Sequence, residues 1–314
     1  MTPAPDTYQA LFHCRWGHLS DARVRALAWL LDSPDLLDAA APVWAGQVAT
    51  FGPVTTEVAA WLAELDDDPT ALNEALGTRV HTRLGLYAEK LMAFYFASQG
   101  RLVAHGLQVR ADRTDTVGEF DFLLQHEPDG LEHIEFATKF YLQHGDADGG
   151  LDALVGPNLA DSLGRKMRKI FERQLTLGRH PAAQPLLPRP VVRARALVKG
   201  WLFYPLGAWP AMQGVTAGHC RGFWCGMDEL DTLAGAEFLI LPKLEWLAPF
   251  RSRSADWLLD RAQLRAELAD RFATSTMPVL VAQLRRCGDV VEETGRGFIV
   301  PDGWRAQAAA TRKA

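Results

Sequence analysis

Two segments near the middle of the chain alternate between apolar and polar residues. In residues 118–124 and again in residues 133–142, apolar side chains fall on even positions and carboxylates on odd positions. Successive side chains of a strand point to opposite faces, so this period predicts two half-buried strands. The intervening residues 127–130 are turn formers and predict a hairpin. Asp121 and Glu135 are therefore expected to lie close together on one sheet face.

Two neighbouring carboxylates repel each other, and a cation bound between them relieves that repulsion. Oxygen ligands favour Mg²⁺ or Mn²⁺, so the hairpin predicts a divalent-metal site at Asp121 and Glu135. The alternative is structural, because strands with charges on one face are commonly half-solvated strands without a site.

Helical spacing is visible on both sides of these strands. Residues 1–77 show it in short segments, and residues 78–99 predict a longer helix whose mostly apolar surface includes Glu89. A carboxylate in such surroundings needs a partner or a site. A second helix is predicted over residues 158–177, with Asn158 as its N-cap and Gln174 as a polar residue in its apolar stripe.

The remaining patterns predict further strands and three regions of the chain. Strands are expected at residues 102–109, 191–199, 237–241 and 278–284, with a hairpin over residues 290–300 that turns at Thr294-Gly295. A helix is expected at residues 255–272, and the tail after Trp304 is expected to fray. We therefore divide the chain into an N-terminal helical segment (1–77), an α/β core (78–203) and a C-terminal α+β extension (204–314).

Composition changes this picture little, but the distribution of charge adds to it. The 314 residues carry a net charge of −5, yet residues 159–200 contain ten Lys and Arg against two Asp and Glu. A local basic block in an acidic protein favours an anionic ligand, with a solvated helix face as the alternative. Four cysteines, no apolar run of membrane length and no visible signal peptide favour a cytoplasmic protein without a membrane partner.

The order helix, three strands, helix, strand over residues 78–203 resembles the core of the PD-(D/E)XK nuclease superfamily. The resemblance extends to three short motifs, namely Gly85-Leu86-Tyr87-Ala88-Glu89, Gly118-Glu119-Phe120-Asp121 and Ile134-Glu135-Phe136-Ala137. It implies a restriction-endonuclease-like fold, with a mixed central sheet flanked by helices. The whole chain also resembles an uncharacterised bacterial family, domain of unknown function 1853, which implies no particular activity.

The superfamily resemblance assigns a role to each candidate residue. Glu89, Asp121 and Glu135 would bind Mg²⁺ or Mn²⁺, together with the backbone carbonyl of Phe136, and Gln174 would position the substrate. The superfamily's lysine falls at position 137, where this chain has alanine, and Lys139 lies on the same strand face two residues further along. Lys166 is a second source of the ammonium group.

These expectations lead to a metal-dependent nuclease that hydrolyses DNA or RNA. The alternative, favoured by Ala137, is an inactive relative that binds nucleic acid or a protein partner. Six basic residues are expected to contact phosphates: Arg165, Lys166, Lys169, Arg173, Arg193 and Arg195. A zinc site at His219, Cys220 and Cys225 is a weak further hypothesis, because their spacing is not that of a zinc knuckle.

Overall fold

A computed structural model describes residues 7–78, 81–112, 115–145, 147–207 and 210–311. Among the described residues, four α-helices precede the predicted core (78–203), two lie within it and two follow it. In chain order these helices are α1 Tyr8–Trp16, α2 Ala22–Asp32, α3 Thr56–Asp67, α4 Thr70–Leu76, α5 Leu84–Ser98, α6 Leu163–Glu172, α7 Arg261–Phe272 and α8 Trp304–Thr311. The predicted start of α5, near residue 78, includes positions 79 and 80, which lie outside the described residues.

The strands form a single mixed sheet within the described part of the chain. They are β1 Leu102–Arg110, β2 Thr116–His126, β3 Gly130–Gln143, β4 Leu154–Val155, β5 Val191–Pro205, β6 Cys220–Gly226, β7 Glu237–Ile240, β8 Arg251–Ser252, β9 Val279–Cys287 and β10 Val290–Val300. The main path is β1-β2-β3-β5-β6-β10-β9-β7. Antiparallel pairs at both ends enclose parallel pairs β3/β5, β5/β6 and β6/β10.

The two sheet faces are covered by different helices, as the predicted α/β class requires. Helix α5 packs with Phe122 and Phe136 in the largest apolar cluster. On the other face, Met167 and Ile170 of α6 pack on Ala196 and Val198 of β5. The element order α5-β1-β2-β3-α6-β5 is the order predicted from sequence, apart from the two-residue strand β4 between β3 and α6.

The N-terminal helices are fixed to the sheet by buried polar contacts as well as apolar packing. Lys199 of β5 is 2 % exposed, and its Nζ lies 2.8 Å from Asp35 Oδ1. The backbone N–H of Leu36 donates to the carbonyl of Val198 at 2.8 Å. These contacts pair a charge that would otherwise be buried alone, which would strongly destabilise the fold.

A second buried ion pair lies within β10, and its arginine also bonds the loop before β8. Arg296 and Glu293 are fully buried, and Arg296 Nε and Nη2 both donate to the Glu293 carboxylate at 2.7 Å. Arg296 also donates to the carbonyls of Trp246 and Ala248 and lies over the Trp201 ring, 4.2 Å from its centroid. Together these partners offset the free-energy cost of burying the Arg296 charge.

Several predicted elements were wrong in extent. Strand β5 continues to Pro205 instead of ending at residue 199, and α7 begins at Arg261 instead of residue 255. The second helix begins at Leu163, because the Ser162 hydroxyl accepts the Arg165 N–H at 3.2 Å, while Asn158 only closes a local turn. It ends at Glu172, and residues 174–179 form a 3₁₀ helix. Leu175 and Leu177 there are buried in different apolar clusters, which a single α-helical stripe could not achieve.

The C-terminal part contained the other errors. Residues 290–300 are one strand, whose hairpin with β9 turns at 288–289, and Thr294-Gly295 is a β-bulge rather than a turn. The part of the tail that the structure describes, to residue 311, forms α8 and is not frayed: Trp304 is 1 % exposed and donates to the Pro157 carbonyl at 2.9 Å.

Strand β6 was missed because Gly222 and Gly226 obscure its pattern. Gly222 is required there, since a Cβ atom would lie 2.5 Å from the Phe203 ring.

The predicted boundary between residues 203 and 204 falls inside β5, and the sheet continues from the predicted core into the C-terminal extension. The three-region division itself stays a prediction. Among the described residues, no helix combines the length and apolar character needed to cross a bilayer.

Candidate metal centre

The candidate centre forms where β2 and β3 separate. Their antiparallel ladder extends from His126 and Gly130 to Phe122 and Ile134 and ends there. Beyond that point the Phe136 N–H of β3 donates to the side chain of Asp121 instead of the backbone of β2, at 2.8 Å from Oδ2. The side chain of Asp121 is thereby held between the two strands.

The strict alternation expected for β2 is interrupted at this position. Phe120 packs with Leu123 and Leu177 in one apolar cluster, whereas Phe122 packs with the α5 residues in another. The glycine of the Gly118-x-x-Asp121 motif has a packing role, since a Cβ atom there would lie 3.2 Å from the Leu177 side chain. The expectation that one face of β2 is uniformly apolar was therefore wrong.

Three carboxylates from two elements converge here. Ligand oxygens of Glu89, Glu119 and Asp121 all lie within 4.8 Å of one another, the one such group of metal-capable side chains among the described residues. Glu89 comes from α5, and its Oε1 lies 2.8 Å from His105 Nε2. The His105 ring stacks on Phe122 at 5.4 Å, so packing fixes the partner of Glu89.

Glu119 was not selected as a ligand from the sequence, although it lies on the predicted acidic face. Its Oε1 would lie 3.5 Å from a Cβ atom at Gly106 of β1. Gly106 has φ +65°, a left-handed conformation that glycine adopts readily. The signal in the sequence was the spacing Glu-x-Asp, which puts both carboxylates on one side of a strand.

Glu135 lies beside this group rather than within it. It is 3 % exposed, its Oε1 accepts a hydrogen bond from Gln174 Nε2, and its Oε2 has no hydrogen-bond partner among the described residues. The structure thus brings together Glu135 and Gln174, two of the predicted site residues, although Gln174 belongs to the 3₁₀ helix and not to α6. The Oε1 of Gln174 is also buried without a hydrogen-bond partner in the described structure.

Burial and mutual repulsion shift the titration of the central acids. Burial, followed by the charge of Glu135, raises the pKa of Asp121 well above its ordinary value, against the opposing Phe136 hydrogen bond. Burial also raises the pKa of Glu135, and the positive charge of Lys166 opposes that rise. The charge of Glu89 raises both pKa values, and the charge of Glu119 also raises the pKa of Asp121. These four acids therefore form one electrostatic unit.

The two candidate lysines lie beside this unit. Burial, followed by the charge of Lys166, lowers the pKa of Lys139 to about 8, against the opposing charges of Asp161, Glu135 and Asp121. Both ammonium groups therefore lie within electrostatic reach of Glu135. Ala137, at the superfamily's lysine position, is 5 % exposed and packs beneath α6.

His133 is a buried neighbour of Glu135 that the sequence did not single out. It is fully buried, its Nε2 lies 3.7 Å from Glu135 Oε2, and the Phe120 ring meets it edge-on at 4.8 Å. Burial lowers the pKa of His133 to about 4, so at neutral pH the ring is uncharged beside the carboxylate.

The six predicted phosphate-binding residues do not form one surface. Arg165, Lys169 and Arg173 are exposed on or next to α6, and Lys166 is half-buried towards Glu135. Arg195 pairs with Ile134 across the β3/β5 ladder and so points away from the α6 face. It is held by the buried Glu132, with Arg195 Nε 2.6 Å from Glu132 Oε1.

Arg193 lies near the same acid, with its Nε 3.8 Å from Glu132 Oε1. The two β5 arginines are therefore already paired, in contrast to Lys169 and Arg173, which form no ion pair with the described residues. The side chains on and beside α6 remain the candidates for contacting an anion.

The zinc hypothesis finds little support in the geometry. Both ring nitrogens of His219 are hydrogen-bonded, Nε2 to the Tyr204 hydroxyl at 2.8 Å and Nδ1 to the Thr216 carbonyl at 2.6 Å. Cys220 and Cys225 are fully buried free thiols, and burial raises both thiol pKa values. Neither thiolate is favoured, although zinc binds thiolates.

Comparison with known proteins identifies a family without assigning an activity. No curated protein and no solved structure matches the chain. The model of the family described as "Domain of unknown function (DUF1853)" matches residues 25–300, which include every residue of the candidate centre. On this match, the chain belongs to the DUF1853 family.

Proposed function

We propose that this protein is a metal-dependent nuclease with a PD-(D/E)XK-type, restriction-endonuclease-like core, hydrolysing phosphodiester bonds of DNA or RNA with Mg²⁺ or Mn²⁺. The observation that carries the proposal is the convergence of Glu89, Glu119 and Asp121 beside Glu135, on elements in the order α5-β1-β2-β3-α6-β5.

The donor set fits a hard divalent cation. Carboxylate oxygens are the ligands that Mg²⁺ and Mn²⁺ prefer, and Glu89, Glu119 and Asp121 would hold the ion. Glu135 offers a buried oxygen without a hydrogen-bond partner among the described residues. A buried polar atom of this kind is rare in folded proteins, and an ion at the site would give it a partner.

The residues around the acids supply the remaining requirements of phosphodiester hydrolysis. A bound divalent ion contributes Lewis-acid charge and an activated water. Lys139, whose pKa is lowered to about 8, is poised to exchange a proton with water near neutral pH. Lys166 adds positive charge beside Glu135, where a phosphate would otherwise be repelled by the acids.

Gln174 has an orienting role in this proposal. Its Nε2 donates to Glu135 Oε1, which fixes the carboxylate, and its buried Oε1 is left without a partner in the described structure. Arg165, Lys169 and Arg173 would neutralise backbone phosphates, because they are exposed around α6 and not engaged by carboxylates.

A second function is favoured by one observation. Ala137 is packed beneath α6, so the lysine of the resembled superfamily is replaced by a buried methyl group. A protein that retains the fold and the basic helix without cleaving would bind nucleic acid or a protein partner.

Cleavage assays separate these functions. Purified protein is incubated with plasmid, single-stranded DNA and RNA in Mg²⁺ or Mn²⁺, beside D121N, E135Q and the exposed-turn control D129N. Cleavage by wild type and D129N, lost in D121N and E135Q, supports the nuclease. Retained binding without cleavage in all four proteins supports the binding function.

A further inference from the structure

A large cavity lies away from the acids, where the N-terminal helices meet the C-terminal part. It has a volume of about 1000 Å³ and is bounded by α2, the end of α4, one side of α5 and the segment 239–257. Tyr87 lines it, whereas Glu89, two residues later on α5, belongs to the candidate metal centre. Two residues span about 200° around an α-helix, so the cavity and the acids lie on opposite sides of α5.

The cavity wall is positively charged. Arg23, Arg25 and Arg251 contribute to it, and Glu245 is the single carboxylate among its described lining residues. Arg25 is 4 % exposed and is fixed by the carbonyls of Trp16, Leu19 and Pro249.

The nearby cations also repel one another. The charge of Arg251 helps to lower the pKa of Arg25 to about 10, after burial. Arg251 already pairs with Glu292, its Nε lying 3.1 Å from Glu292 Oε1, and Arg23 donates to the neutral Asn73 side chain. An anion bound between these guanidinium groups would reduce the repulsion, and arginine recognises phosphate with several donors at once.

The wall also carries two pairs of aromatic rings. His81 and Tyr87 lie 5.6 Å apart between centroids, and Phe250 and Trp257 lie 4.8 Å apart with their planes perpendicular. Aromatic faces at the edge of a cavity favour a planar ring as ligand.

Tyr87 adds a polar group to the cavity wall. The residue is 6 % exposed and lines the cavity. Its phenolic hydroxyl can both donate and accept a hydrogen bond, which suits it to a polar ligand atom. Glu245 lies close enough for its charge to act on Tyr87 and provides an acceptor in the same wall.

We propose that this cavity binds a nucleoside phosphate, with the phosphate at the arginines and the base against the aromatic rings. Such a molecule combines an anion, a planar ring and polar base atoms, the three features to which the wall is complementary. The inference is independent of the nuclease proposal, because none of the lining residues belongs to the candidate metal centre.

Isothermal titration calorimetry of the full chain tests the proposal with AMP, GMP, CMP and UMP. Adenosine, inorganic phosphate and benzoate are the comparison probes, and EDTA keeps divalent metal out of the solution. We expect at least one nucleotide to bind more tightly than all three comparison probes. The affinity should fall about tenfold in Y87F and in R23Q, variants that remove a single hydroxyl and an exposed charge.

D121N should bind that nucleotide as wild type does, because Asp121 lies on the other side of α5. The proposal is overturned if no nucleotide exceeds the comparison probes, if Y87F and R23Q bind unchanged, or if D121N abolishes binding. Unfolding curves of the variants show whether a loss of binding reflects loss of the fold, and folded variants that bind unchanged count against the site.

Discussion

Neutralising Asp121 should stabilise the metal-free protein at pH 8. The substitution D121N keeps the size of the side chain and an oxygen that can accept the Phe136 N–H. It removes one negative charge from a group whose oxygens lie within 4.8 Å of one another. Most substitutions of half-buried residues destabilise a protein, so a gain in stability would point to repulsion between the acids.

The size of the effect follows from Coulomb's law. Two unit charges 4.8 Å apart repel by about 3 kcal/mol at an effective dielectric constant of about 20. Glu89 Oε1 lies at hydrogen-bond distance from His105 Nε2, and residual solvent weakens each charge–charge interaction. We therefore expect D121N to raise the free energy of unfolding by about 1–3 kcal/mol at pH 8 without metal.

The gain should depend on pH with a defined sign. The folded-state pKa of Asp121 is raised above its unfolded value, so the fold loses stability as the pH rises from the unfolded pKa to the folded-state pKa. Below the unfolded pKa the carboxyl is protonated in both states and the penalty is absent. Urea unfolding should therefore show a large difference between D121N and wild type at pH 8 and a smaller difference at pH 5.

Metal should narrow the difference in stability between the two proteins. Mg²⁺ at roughly ten times its dissociation constant adds about 1.4 kcal/mol to a protein that binds it when folded. Wild type should gain this stability and D121N should not. D129N, which removes an exposed charge from the β2–β3 turn, should behave as wild type. The reasoning is refuted if D121N is equally destabilised at both pH values, or if Mg²⁺ stabilises D121N as much as wild type.

Three further predictions address other parts of the structure. K139M should abolish cleavage while Mg²⁺ still stabilises the protein, because Lys139 lies beside the acids and is not a ligand; cleavage and unfolding assays measure the two effects. The double variant K169A/R173A should weaken DNA binding and reduce the slope of log affinity against log salt by about 2, measured by fluorescence anisotropy. E293Q should lower the free energy of unfolding by about 3 kcal/mol in urea titrations, because it leaves the Arg296 charge buried without its carboxylate.

The DNA-binding and stability predictions each have a matched control. R271Q removes an exposed cation from α7, and it should leave both DNA affinity and the salt slope unchanged. E267Q, which neutralises the exposed partner of Arg271, should change stability far less than E293Q. Equal effects of E267Q and E293Q would contradict the importance assigned to burial, and cleavage by K139M would remove Lys139 from the mechanism.

The sequence predicted the core best where the hydrophobic period is regular. Alternation in β2 and β3 indicated the hairpin, and the resemblance to the nuclease superfamily implied that Glu89 of α5 approaches Asp121. The interruption of the β2 pattern beyond Phe120 was not predictable, because it arises where the Asp121 side chain takes the place of a ladder partner. Local sequence does not encode such a tertiary hydrogen bond.

The partners of the charged residues were harder to predict than the strands themselves. Arg195 appeared to belong to the basic block, but its partner Glu132 lies 63 residues away on a neighbouring strand. The register that pairs β3 with β5 is a long-range property, set by packing on both faces of the sheet. Strand β6 was missed for a related reason, since Gly222 is explained by the Phe203 ring and the Arg296 backbone, which belong to distant parts of the chain.

Binding of Mn²⁺, followed by electron paramagnetic resonance, tests the central claim most directly. The claim is that Glu89, Glu119 and Asp121 together hold a divalent ion. Titration of wild type should show saturable loss of the free Mn²⁺ signal, which D121N and E89Q should abolish and D129N should retain. Equal Mn²⁺ binding by wild type and D121N, or no binding by folded wild type, would contradict the account.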